Sequence, residues 1–284
     1  MQEQPTKEES RPRSRRVAEG IAFVTVWVAI GFIFRLGDSL NRQSLYLVIG
    51  IPLTIVFQLF VPRRPLRELW VRGGPRLERR TVFVPLGVAL LVVPVYLLVR
   101  DINDGAGFVL YDLALLVGVV GVGYAAKQFV DATWRDLAQC LLTAGLIGSL
   151  AALDAYANVT TAHPFASPFD APALRDFFVS LGTYLPAVFV VEEVWFRGAL
   201  DSHIHQPGED RGLLSAAFVS LLWSWWHLPM ADQAVINSLL TLPIVMVPMG
   251  IFLSIYWRRS GNLAVPGATH AFSDAVRNIL VGVP

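Results

Sequence analysis

The stretch RDFFVSLGTYLPAVFVVEEVWFRGAL, residues 175–200, decides the fold. It is a nearly continuous apolar and aromatic run, long enough to cross a bilayer as a helix, for which about 20 residues suffice. Three charged residues, Glu192, Glu193 and Arg197, sit inside it. A charge within a span costs about 2.5 kcal/mol or more, so such residues face a bundle interior or a water-filled cavity. Glu193 and Arg197 are placed to meet on one helical face, with the glutamate N-terminal to the arginine, the favoured order. Glu192 points about 100° round the helix and has no local partner, so its position needs another explanation.

The rest of the chain follows the same composition. Of 284 residues, 54% are hydrophobic and 16% charged, against about 25% charged in an ordinary soluble domain. Mean hydropathy is +0.53. Apolar runs cover roughly 18–35, 44–62, 81–99, 106–126, 137–156, 175–200, 212–228, 235–257 and 262–282. The fold class is therefore all-α, a polytopic transmembrane bundle of about eight or nine spans. A soluble helical protein is excluded by the number of runs longer than a core helix.

Loop charges orient the bundle. With the N-terminus inside, the inner loops collect Arg11, Arg13, Arg15, Arg16, Arg63, Arg64, Arg67, Arg72, Arg76, Arg79 and Arg80. Lys127, Arg135, Arg211, Arg258 and Arg259 join them, while Arg42 and Arg100 fall outside. That asymmetry follows the positive-inside rule. It predicts an integral protein of the plasma (inner) membrane with a cytoplasmic N-terminus. The segment RRPLRELWVRGGPRLERR reads as an orientation signal, with anionic lipid headgroups as its other reading. Residues 1–17 read as a disordered polar tail. Residues 18–170 form the N-terminal helices and 171–284 the helices that carry chemistry, in one continuous membrane domain. The lone cysteine, Cys140, excludes an intrachain disulfide and reads as a small apolar residue of a span. No basic groove with interleaved aromatics suggests nucleic acid as a partner.

Two further segments hold ionisable residues within spans. In SLLWSWWHLP, His227 ends an aromatic run one turn after Trp223; in VPGATHAFSDAV, His270 and Asp274 share a helical face. Counting from the turn near Pro207 to Arg211, Glu192 and His227 lie roughly 25 Å along antiparallel helices. They are predicted neighbours across the hairpin, with His270 at a comparable or shallower depth. A carboxylate and two histidines at one depth suit water activation, with Glu192 as general base. His270 and its partner Asp274 would then steady an oxyanion. Asp154 reads as interfacial and Asp112 has no assigned role. His203 and His205 read as a solvated turn in preference to metal ligands. His163 has no role, and Asn158 opens an N-V-T sequon.

The motifs EEVWFR, WSWWH and HAFSD, in this order, resemble those of the CPBP (Abi) intramembrane proteases. That family includes the type II CAAX prenyl endopeptidases, and its pattern runs EExxxR, FxxxH, HxxxN. The resemblance covers roughly residues 175–282. It implies Glu192 as general base sharing a water with His227, Glu193 and Arg197 as a supporting ion pair, and His270 with Asp274 on the oxyanion side. Trp223 replaces the usual Phe as an aromatic wall. Asp274 replaces the common Asn, so it is either protonated or orients His270. The resemblance also implies a peptide or protein substrate, lipidated or membrane-associated, with membrane lipids around it and an active site open to the cytoplasm.

No cofactor is favoured, because the Arg197 cation beside the carboxylates disfavours a divalent ion. The alternative is one zinc at Glu192, His227 and His270. Competing functions are a non-catalytic scaffold or bacteriocin-immunity protein of the same fold, and a proton-coupled transporter, which the lack of internal repeats disfavours.

Overall fold

The computed structural model describes residues 11–37, 39–76, 85–105, 108–159, 171–206, 209, 212–231 and 234–281. Among them there is no strand, only an isolated bridge between Val71 and Asn262. The helices are α1 (Arg13–Ile33), α2 (Leu40–Phe60), α3 (Pro85–Asp104), α4 (Val109–Lys127) and α5 (Asp131–Cys140). A π turn, Leu141–Gly145, joins α5 to α6 (Leu146–Val159) in one rod. Then come α7 (Ala171–Val190), α8 (Gly212–Trp226), α9 (Val235–Ser260) and α10 (Ala264–Val281). Beyond α7 the helical path continues through a π-helical stretch, Val194–Asp201, and a last turn, Ser202–Ile204.

Among the described residues, seven helical segments are long and apolar enough to cross a membrane. Large apolar side chains such as Leu142, Ile244 and Phe60 are more than two-thirds exposed. Surface of that kind is costly in water and natural against lipid. The protein is an integral membrane protein. Helix α10, with His270, Asp274 and Arg277 along it, completes the bundle by packing against α7.

Several ends differ from the expected ones. Helix α1 starts at Arg13, inside the stretch read as a disordered tail. The reason is an ion pair that hydropathy does not register. Arg16 is 2% exposed, donates to the carbonyl of Arg11 and pairs with Glu209. Residues 1–10, His163 and Thr160 of the sequon lie outside the described residues, as do the side chains of Asp154 and Asn158.

The arginine-rich segment is no simple loop either. Leu66–Leu69 forms a 3-10 turn, and Leu69 and Val71 are buried. The backbone of Trp70 and Arg72 pairs with Leu263 and Gly261. The Trp70 indole N–H donates to the Phe189 carbonyl at 2.9 Å.

Two features set the position of α7. Helix α4 crosses it where Gly118 faces the Pro186 carbonyl; a Cβ at Gly118 would lie 2.0 Å from that oxygen. Behind the π-helical stretch sits an aromatic core of Trp27, Tyr46, Phe57, Trp195 and Trp226, all fully buried. Tyr46 donates its hydroxyl to the Trp226 carbonyl at 2.8 Å, holding the end of α8 where His227 follows.

The bundle has two chemically distinct ends. At one, Arg16, Arg64, Arg72, Arg258 and Arg259 converge on the starts of α1, α5 and α8 and the ends of α2 and α9. Arg258 grips Asp201 with Nε to Oδ2 at 2.9 Å. At the other end, Gly37 of the α1–α2 turn abuts Pro229, and Gln43 donates to the Gly37 carbonyl at 3.0 Å.

Candidate active site

Helix α7 breaks at Val191, immediately before the two glutamates. Pro186 has no N–H to give to the preceding turn, and Trp70 takes the Phe189 carbonyl. The π-helical path that follows is the kind of local departure often found at functional sites. It buries Val194 through Asp201 completely on every side.

Glu193 and Arg197 meet as their spacing predicts, Oε2 to Nε at 3.3 Å, both fully buried. The Arg197 guanidinium stacks over Trp223, 5.3 Å from the ring centroid. Helix α9 comes close enough that a Cβ on Gly250 would lie 3.2 Å from Arg197 Nη2.

Glu192 finds its partners across the bundle. Its Oε2 accepts the Trp223 indole N–H at 3.1 Å. The same oxygen lies 3.7 Å from His227 Nε2 and 3.9 Å from His270 Nε2. The sequence therefore placed Glu192 and His227 as neighbours correctly, and His270 joins them at the same depth. Trp223 does more than the expected aromatic wall, since a Phe there has no N–H to give.

The imidazoles are held differently. His227 donates Nδ1–H to the Trp223 carbonyl at 2.9 Å, which leaves Nε2 as an acceptor in the neutral ring. His270 has Nδ1 at 2.9 Å from Glu193 Oε1 and Nε2 at 3.4 Å from Asp274 Oδ2. Asp274 in turn pairs with Arg277, 3.0 Å away. Arg277 also donates to the Tyr184 hydroxyl and the Asn278 amide oxygen, both at 3.2 Å.

Glu192, Trp223, His227, His270, Asp274 and Arg277 line one cavity of about 500 Å³. Its other wall is apolar: Leu47 from α2, Ala151 and Ala152 from α6, Met246 and Met249 from α9. The N-terminal helices thus contribute to the site, which the sequence patterns did not reveal. Tyr184 and Arg277 were also missed. Arg277 stands one turn after Asp274, a spacing that could have flagged it.

Three expectations change. The cavity reaches away from the arginine-rich end, since Gln43, Met230 and Arg277, near the opposite helix ends, are among the residues that line it. His203 is not solvated: it is fully buried, with Nε2 2.9 Å from Glu19 and its ring edge-on to Phe57. A turn that looks polar is consumed by ion pairing between helices. His205, half-buried beside Arg258, has its protonated form disfavoured first by burial and then by that cation. Asp112 is buried next to Asp101 and lines with it a second cavity of about 420 Å³, which shares Tyr184 with the first.

Among the described residues, no three His, Cys, Asp or Glu side chains are arranged to hold a metal ion. Glu193 and Asp274 already engage both nitrogens of His270.

Residues 175–276 match the family model described as Rce1-like, Type II CAAX prenyl endopeptidase Rce1-like. That stretch, about a third of the chain, is similar to the type II CAAX prenyl endopeptidases. No curated protein and no solved structure matches the chain. The matched stretch carries EEVWFR, WSWWH and HAFSD, the segments that meet at the cavity.

Proposed function

We propose that the chain is an intramembrane endopeptidase in which Glu192 and His227 activate a water molecule. One observation carries this: two acceptor atoms, Glu192 Oε2 and His227 Nε2, face each other 3.7 Å apart at an open cavity. That is too long for a direct hydrogen bond and suits a water donating one hydrogen to each. Such a water has its lone pair free for a peptide carbonyl carbon bound in the cavity.

In the reaction, the water oxygen bonds to the carbonyl carbon as its proton passes to Glu192. The π electrons move onto the carbonyl oxygen. Collapse of the tetrahedral intermediate breaks the C–N bond, and the departing amine takes the proton back from Glu192. His227, fixed by the Trp223 carbonyl, orients the water throughout.

The oxyanion needs donors. Both nitrogens of His270 face carboxylate oxygens, so the ring is best satisfied with hydrogen on each, and Nε2–H is turned to the cavity. Asp274 as a carboxylate accepts only; its role is to hold His270 and Arg277. Arg277 has one Nη1 hydrogen and its Nε hydrogen outside the bonds to Asp274, Tyr184 and Asn278. Its guanidinium supplies the donor that an Asn at 274 would give. The mechanism is written without a metal because Glu193 and Asp274 already face both nitrogens of His270.

The substrate is a peptide or protein segment at the membrane. The basic end of the bundle is placed in the cytoplasm by the positive-inside rule, with the N-terminus, in the plasma membrane. Purified protein in lipid vesicles should cleave apolar peptides. Glu192→Gln and His227→Ala should each lose about 10²–10⁴-fold in kcat, and a chelator should change nothing. Wild-type turnover by Glu192→Gln would refute the assignment.

A further inference from the structure

We infer that the catalytic cavity opens on the non-cytoplasmic side of the membrane, and that its substrate is an apolar, membrane-anchored polypeptide segment presented from that side. The substrate half of this statement rests on the peptidase reading above; the topological half does not.

Among the described residues, Arg35, Arg42, Arg100, Arg175 and Arg277 lie toward one end of the bundle. Arg197 is central, and every other described Lys or Arg lies toward the opposite end. A bias of this kind in short loops puts the richer end in the cytoplasm.

His227 follows the last residue of α8, and Met230 ends the 3-10 turn after it. Gln43 lies in the first turns of α2, and Arg277 near the end of α10. All four belong to the arginine-poor end, and all four line the cavity. The Arg277 side chain is 45% exposed. A guanidinium that open needs water or headgroups, which fixes the mouth at the polar interface on that side.

The cytoplasmic side is sealed. Below Glu192 come Glu193, Arg197 and Asp201, all fully buried. Beneath them Arg258 clasps Asp201, the Trp257 indole donates to Ser202, and the Asn262 amide donates to the Ala125 carbonyl. The folded-back segment around Trp70 covers this layer. A cytoplasmic peptide would have to break that stack to reach Glu192.

The cavity wall then selects the substrate. Leu47, Met230, Val245, Met246 and Met249 form it opposite the polar groups. Methionines repack around varied apolar side chains. Helices α2 and α9 both line the cavity but are not closely packed on each other. A segment anchored in the bilayer can therefore enter sideways from the outer half of the membrane. A tail confined to the cytoplasm cannot.

The test uses the full chain and its single cysteine, Cys140, which is fully buried. Met230→Cys and Arg76→Cys are made separately and treated in intact cells with a membrane-impermeant maleimide. Met230→Cys should label from outside; Arg76→Cys should label only after permeabilisation. The reverse pattern overturns the inference. Next, right-side-out and inside-out vesicles holding the wild-type chain receive a fluorogenic peptide with an apolar centre and charged ends. Cleavage should be at least tenfold faster in right-side-out vesicles. Faster cleavage in inside-out vesicles overturns the inference while the peptidase reading stands. Cleavage in neither, with Met230→Cys still labelled from outside, overturns the peptidase reading and the substrate with it, and leaves the topology intact.

Discussion

Replacing Arg197 by Met removes the cation from the centre of the bundle and keeps most of the side-chain volume. What it leaves is Glu193, fully buried, whose Oε2 faced Arg197 Nε at 3.3 Å. At an effective dielectric constant near 20, that pair is worth about 5 kcal/mol of Coulomb attraction. Breaking a buried pair by removing one partner costs about 3–5 kcal/mol. Glu193 keeps the His270 Nδ1–H through its other oxygen, and the guanidinium makes no well-aligned hydrogen bond among the described residues. Both facts put the loss at the lower end, about 3 kcal/mol. Reversible unfolding in detergent micelles would measure it, as a double-mutant cycle with Glu193→Gln. The double variant should recover most of the loss, giving a coupling of at least about 1.5 kcal/mol. An Arg197→Met protein as stable as wild type, or a double variant equal to the sum of the singles, would show that the two charges do not depend on each other.

Other expectations concern single contacts. Trp223→Phe keeps the aromatic ring but removes the N–H given to Glu192; a charge-assisted hydrogen bond of about 1.5–3 kcal/mol sets a loss of about tenfold or more in kcat, with KM little changed, in steady-state cleavage. Arg277→Gln should lower kcat by about 10²-fold, and adding Asp274→Asn should restore at least part of it by supplying an amide donor; no effect of Arg277→Gln would remove it from the oxyanion side. Gly118→Ala pushes a methyl into the Pro186 carbonyl, where backbone cannot yield, so the melting point should fall by the equivalent of about 1–3 kcal/mol.

Acid should loosen the turn between α7 and α8. His205 titrates below its ordinary value of 6.5, through burial and then the Arg258 cation. Burial opposes ionisation of Glu209, but the Gln206 N–H and Arg16 outweigh it and hold Glu209 below 4.5. In both cases the unfolded chain binds more protons than the folded one, so stability is complete above the unfolded value and falls with pH. The protection factors against hydrogen exchange at residues 202–206 should therefore fall below about pH 6.5, and again below the carboxylate value. Unchanged protection between pH 7.5 and 5 would contradict this.

The helical spans were legible because each is a local property: an apolar run either is or is not long enough to cross a bilayer. The Glu193–Arg197 pair was legible for the same reason, since four residues of helix bring the two together whatever surrounds them. Glu192 and His227 could be brought together by counting from a shared turn. Trp70 on the Phe189 carbonyl and His203 on Glu19 could not. Those pairs join segments 119 and 184 residues apart, and no periodicity records them. For the same reason a polar string, SHIHQ, looked solvated while its first histidine is fully buried.

By itself, then, the sequence determined the membrane class, the order of the spans and the residues able to do acid–base chemistry. It did so because hydrophobic length, charge bias and helical spacing act on near neighbours along the chain. Only the tertiary structure decided which nitrogen of each imidazole faces Glu192, that the Trp223 indole gives its N–H to that carboxylate, and that Arg277 lines the same cavity. Those depend on where helices distant in sequence cross, and that is set by packing of Gly118 on Pro186, of the aromatic core behind α8, and of the arginine clasp at one end.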